Sequence, residues 1–193
     1  DQSPDWELMN LKVKIPDLSI HARRENKKKI SLDHFKKKLF DLERELFDVM
    51  YCKGPDMDWV VNNPGNVPYI TASKFNNGVS GFCDKGNWQV FERGLLTVLK
   101  DGTDVGTCFY QPTPFITNTH VAILKPKIKL SAKSAIYISR LITANVFRFN
   151  YGRAFNGKRV NIPIQLPVDD NGNIHLRAIE DYMGTLRFSS MLV

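Results

Sequence analysis

Between residues 47 and 124 the chain offers short apolar segments cut apart by Gly, Pro, Asn and Asp, and that texture points to a sheet. Phe47–Tyr51, Val67–Phe82, Leu95–Leu99, Thr107–Tyr110 and Thr119–Leu124 read as strands. Lys100-Asp101-Gly102-Thr103 supplies a turn between two of them, and Lys53–Pro64 reads as a loop carrying Trp59. Helical spacing appears elsewhere. Leu32, Phe35, Leu39, Leu42 and Leu46 recur at steps of three and four, with Ser31 placed to cap them. Ala132–Phe147 and Ile174–Leu186 read as later helices, joined by an extended Val160–Leu166 that Pro163 interrupts and by a turn over Asp169–Gly172. The fold class is α+β: a twisted mixed or antiparallel sheet with a few packed helices. Two regions are expected, a basic helical N-terminal segment over 1–45 and a domain over 46–193. Within the first, Leu11–Ile15 alternates like a short strand that stops at Pro16.

The strand Val67–Phe82 ends its apolar character early. Val67, Tyr69 and Ile70 give way to Thr71, Ser73, Lys74, Asn76, Asn77 and Gly78 before Val79 and Phe82 resume. Asn77-Gly78 suits successive positive φ angles, so the plain reading is a hairpin turn. Hydroxyls, a lysine and two amides are also the groups that bond phosphates and base edges. Both readings stand on the residues alone.

Charge favours a polyanionic partner. The 193 residues carry a formal net charge of +7, with 42% hydrophobic and 24% charged residues, a composition typical of a globular protein. Arg23, Arg24 and Lys27–Lys29, then Lys36–Lys38, form a basic run that reads most simply as a solvated face. Cys52, Cys83 and Cys108 are sparse and odd in number, without a CxxC, which fits a reducing cytoplasm and argues against structural zinc. No apolar run nears the roughly 18 residues that a membrane span needs, so no membrane partner is expected. The opening Asp1-Gln2-Ser3-Pro4 is not a signal peptide and lacks Met, which suggests a fragment or a processed chain.

Catalytic motifs are thin. Pro16-Asp17 with Glu25-Asn26-Lys27 matches the letters of a metal-dependent nuclease, but the spacing is short and the second part lies in a polar run. Asn66-Val67-Pro68-Tyr69 approaches a methyltransferase loop and lacks its first proline, and there is no GxGxxG. His21, His34, His120 and His175 stand apart from any nucleophile. No catalytic or metal-binding residue is assigned. Recognition chemistry is better represented. Tyr110-Gln111 ends a strand, and glutamine pairs with adenine in the major groove. Tyr151-Gly152-Arg153 and Lys158-Arg159 place cations and an aromatic in a glycine-bearing loop.

Taken in order, NVPYITASKFNNGVSGF, VFERGLLTVLKDGTDVGTCFYQPTPF, VAILKP and FRFNYGRAFNGKRVNIPIQLPVDDNG resemble the DNA target-recognition domain of restriction–modification specificity subunits, the Type I S subunits and their Type IIB and IIG relatives. The resemblance spans about residues 46–187. It implies a non-catalytic domain, in the cytoplasm, that reads one half of a bipartite site in double-stranded DNA. A DNA adenine methyltransferase, as subunit or fused domain, would bring S-adenosylmethionine, and a restriction subunit would bring Mg2+-dependent cleavage; no cofactor is expected in this chain. Carried onto matching positions, the DNA contacts would be Thr71, Ser73, Lys74, Asn76 and Asn77, then Tyr110, Gln111, Arg153, Lys158 and Arg159. Blocks shared by domains that read different sequences suit scaffold or phosphate contacts, which leaves Lys53–Asn63 and Asp84–Gln89 as further candidates for base reading. The chain departs from the pattern in carrying one recognition domain and in opening on residues 1–45, which would be a spacer helix or the tail of a fused methyltransferase. Two other readings remain: a fragment of a single-chain enzyme with nuclease chemistry at Asp17, and a protein-interaction module whose seam is Leu32–Leu46.

Overall fold

A computed structural model describes residues 30–149, 153–156 and 161–186. The Leu11–Ile15 strand, the cations Arg23, Arg24 and Lys27–Lys29, and the Asp17 and Glu25–Lys27 pattern fall outside those residues, as do Tyr151, Gly152, Lys158 and Arg159.

The strands are β1 (Lys37–Asp41), β2 (Phe47–Tyr51), β3 (Pro64–Ile70), β4 (Val79–Cys83), β5 (Leu96–Leu99), β6 (Cys108–Tyr110), β7 (Ile116–Thr117), β8 (Val121–Pro126) and β9 (Pro163–Pro167). The helices are α1 (Met57–Asn62), α2 (Ala132–Thr143) and α3 (Leu176–Gly184). They make an α+β fold with three sheets: β2-β8-β5-β6, antiparallel throughout; β4-β3-β7, in which β3 pairs antiparallel with β4 and parallel with β7; and the antiparallel pair β1-β9.

The central strands of the four-stranded sheet, β5 and β8, are buried on both faces. Along β8, Ala122 and Leu124 enter the main core, while Val121 and Ile123 enter a second cluster with Ile70, Phe91 and Phe115. Side chains alternate along a strand, so β8 separates these two cores. In β5 the same alternation sends Leu96 and Val98 into the main core and leaves the buried Thr97 between them. Helix α2 packs Ala135, Ile138 and Ile142 into the main core, and α3 packs Ile179 and Met183. Both helices start on caps: Ser131 accepts from Ser134 N–H at 3.3 Å, and the His175 ring accepts from Ala178 N–H at 3.2 Å.

Three expected elements differ. The apolar stripe Leu32–Leu46 is not one helix. Residues 37–41 are strand β1, paired from Lys37↔Pro167 to Asp41↔Pro163, with Phe40 buried and Leu39 61% exposed. A single π-turn over Leu42–Leu46 follows. Asp41 terminates the strand because its carboxylate accepts from Glu43 and Arg44 N–H at 3.1 and 2.9 Å, while Glu45 accepts from Asp41 N–H at 2.7 Å. That reciprocal capping buries Leu42 and Leu46 within one turn. Ser31 caps no helix; its hydroxyl accepts from Asp33 N–H at 3.1 Å within a turn. The segment expected as a loop holds α1, which Asp56 caps by accepting from Trp59 N–H at 2.8 Å. Finally, α2 stops at Thr143 and a 3-10 turn over Val146–Phe149 continues the chain.

Candidate nucleic-acid interface

Strands β3 and β4 form the expected hairpin, and its tip is unusual in backbone geometry. Asn76, Asn77 and Gly78 have φ of 49°, 56° and 82°. Left-handed backbone crowds Cβ against the following carbonyl, and Asn and Gly tolerate it best. The turn is closed by Thr71 N–H donating to Gly78 O and Gly78 N–H donating to Phe75 O, each at 2.9 Å. Side chains complete it. Ser73 Oγ accepts from Phe75 N–H at 3.2 Å, Asn76 Nδ2 donates to Val79 O at 3.3 Å, and the Thr71 and Ser80 hydroxyls meet at 2.6 Å.

Beneath the tip lies an amide cluster. Asn77 Nδ2 donates to Tyr110 O at 3.0 Å and to Gln111 Oε1 at 3.2 Å. Gln111 Nε2 donates to Asn77 O at 3.2 Å and to Thr97 Oγ1 at 2.8 Å. Gln111 is 3% exposed, so its amide is committed inside the fold rather than presented outward. Tyr110 is half-buried beside it, and Thr71 and Ser73 are half-buried at the tip. Lys74 and Asn76 are exposed, and Phe75 between them is 71% exposed.

The tip joins two other segments. Lys74 Nζ donates to Asp104 Oδ1 at 3.1 Å, in the loop between β5 and β6. The Lys74 ammonium, helped by the Thr103 hydroxyl, holds the Asp104 carboxyl below the usual carboxylate range. That loop in turn rests on the segment after α2. A Cβ on Gly106 would lie 2.7 Å from the Phe149 ring, and Phe155 N–H donates to Lys100 O at 2.7 Å. The hairpin tip, the β5–β6 loop and residues 146–149 and 153–156 are therefore joined in series. Lys74, Arg148 and Arg153 are exposed on these segments, and Lys100 is half-buried.

The structure adds Phe75, Lys100, Phe147, Arg148 and Thr97 to the residues of interest. Lys74 lies 5.5 Å from the Phe75 ring centroid, and the Arg148 guanidinium lies 5.4 Å from that of Phe147. Both pairs are adjacent in sequence as an aromatic beside a cation, a signal that was readable there. Thr97 carries no such signal, because only the register of β5 places it under the tip.

The two further loops proposed for base reading pack together. Trp59 and Trp88 meet edge to face at 5.9 Å, and a Cβ on Gly86 would lie 2.8 Å from the Trp59 ring. Asp84 N–H donates to Asn63 O at 2.8 Å. Among the described residues no group of three or more His, Cys, Asp or Glu is placed to hold a metal ion. No helix among them is long and apolar enough to cross a membrane. The three cysteines are free, and burial pushes the Cys108 thiol up.

Comparison with known proteins agrees with this architecture. A specificity subunit from Heyndrickxia coagulans, described as the S.BcgI subunit of a Type II restriction enzyme, is 31% identical over 125 residues. The match covers 64% of this chain and 36% of that subunit. The crystal structure of a Type I S subunit from M. genitalium superposes with a TM-score of 0.57 at 15% identity, over 72% of this chain and 36% of that one. An HsdS subunit from Thermoanaerobacter tengcongensis gives 0.55 at 15% identity, over 81% and 38%. The chain thus spans little more than a third of these relatives' length. The sequence profile of the Type I restriction modification DNA specificity domain matches residues 43–189, and the chain belongs to that family.

Proposed function

We propose that this chain recognises double-stranded DNA through the edge formed by the β3–β4 tip, the β5–β6 loop and residues 146–149 and 153–156. It reads one half of a bipartite site and directs a methyltransferase and restriction assembly to it. The observation that carries this reading is the contact of the tip with the β5–β6 loop, and of that loop with the segments around Phe149 and Phe155, which together bear the exposed Lys74, Arg148 and Arg153. Cations and turn amides of this kind hold phosphates, while exposed Asn76 and Phe75 are chemically suited to base edges and thymine methyls. The chain is the non-catalytic, reading component. An adenine methyltransferase, as subunit or fused domain, would supply S-adenosylmethionine chemistry, and a restriction subunit would supply Mg2+-dependent cleavage.

A salt titration of DNA affinity tests this directly. Log affinity for a duplex should fall with log salt at a slope of about 0.9 for each phosphate neutralised. Affinity indifferent to both salt and DNA sequence overturns the proposal. Mg2+-dependent cleavage of plasmid by the chain, lost in Asp17→Ala, would favour the nuclease reading instead.

A further inference from the structure

We propose that Asn77 and Gln111 are positioning residues for sequence discrimination: they set the attitude of the hairpin tip and do not themselves touch DNA. The proposal rests on the DNA-recognition reading above and assigns roles within it.

Gln111 has two amide hydrogens and one carbonyl oxygen, and all are engaged. It donates to Asn77 O and Thr97 Oγ1, and accepts from Asn77 Nδ2. The Asn77 amide divides its hydrogens between Gln111 Oε1 and Tyr110 O. This cluster ties the tip, which belongs to the β4-β3-β7 sheet, to β5 and the end of β6 in the four-stranded sheet. Residues 34 positions apart thus fix how the hairpin stands on the body of the fold.

Among the described residues, the tip also reaches this region through the Lys74–Asp104 ion pair, with Lys74 half exposed. An exposed ion pair is weak, and a phosphate competes for the same ammonium. When Lys74 turns to DNA, the neutral amide cluster remains, with Gln111 and Thr97 buried and Asn77 itself exposed but both of its amide hydrogens engaged. It keeps Asn76 in the left-handed conformation and Phe75 projecting. Phosphate contacts fade with salt, whereas this link carries no charge, so the discriminating part of affinity should depend on it at every ionic strength.

The test uses the full 193-residue chain. A randomised duplex library is enriched on the wild-type protein to obtain its preferred duplex. Affinities for that duplex and for a scrambled duplex of equal composition then give a discrimination ratio. Two variants are compared. Asn77→Gly keeps the left-handed turn open while deleting the side-chain amide. Gln111→Glu keeps the shape but replaces the donating amide with a carboxylate that faces Asn77 O. Each should lower the discrimination ratio on the order of tenfold, with the scrambled-duplex affinity and its salt slope unchanged. Phe75→Ala should cost less in the Asn77→Gly background than in the wild type, as expected for coupled residues. A wild-type ratio in Asn77→Gly, or an equal loss on both duplexes, overturns the proposal, and that variant decides alone if Gln111→Glu does not fold. If the wild-type protein itself enriches no motif, the recognition reading fails first, a result distinct from failure of either variant.

Discussion

Gly78 holds φ at 82° with the position of a Cβ only 3.1 Å from Ile70 Cγ2. A side chain there meets both a strained backbone and a buried neighbour. Gly78→Ala is expected to lower stability by about 1–2 kcal/mol, by the usual cost of left-handed backbone in an L-residue, as read from equilibrium urea unfolding. The tip also shows how far residue types alone carry the interpretation. The Asn77-Gly78 pair announced a turn with positive φ, and the turn is there. Gln111 announced a strand end with a base-pairing amide, yet that amide is sealed beneath the tip. The difference lies in Thr97. Its hydroxyl comes under the tip through the register Thr97↔Phe109 between β5 and β6, and register is a property of pairing that no single segment displays.

At the scale of elements, the Lys74–Asp104 pair joins two loops whose charges oppose each other's tasks. Asp104 holds Lys74 in place, and its carboxylate also repels an approaching phosphate. Asp104→Asn is expected to raise affinity for any duplex at low salt. Lys74→Ala is expected to reduce the salt slope by about one contact; fluorescence anisotropy across a salt series reads both. Elements with strong local signals were legible. The hairpin, β2, β5, β6, β8 and the two longer helices fall where apolar spacing puts them, with α2 ending at Thr143, short of Phe147. The N-terminal stripe was not, because Leu32, Phe35, Leu39, Leu42 and Leu46 satisfy a helical period while Lys37–Asp41 pairs with a strand far along the chain. Tertiary pairing overrides local period in that segment. Helix α1 escaped notice because six residues hold too little periodicity to see, although Asp56 marks its start.

At the scale of the whole molecule, β1 and β9 close the fold, and Phe40 carries that closure into the main core with Ile164 opposite it. Phe40→Ala is expected to cost about 3–5 kcal/mol, typical of removing a buried phenyl ring, with denaturant unfolding as the measure. Residues 37–41 thus share a sheet with residues 163–167 even though the family profile begins at residue 43. That closure imposes a timetable on synthesis. Strand β1 leaves the ribosome about 130 residues before its partner, a wait of roughly 7–26 s at ordinary elongation rates of about 5–20 residues per second. Throughout it, an unpaired strand edge with an apolar ring stands open to neighbouring nascent chains. Lys36, Lys37 and Lys38, all exposed, sit on that edge. Their mutual repulsion between copies is a guard against premature association, so these charges have a use before the chain has folded.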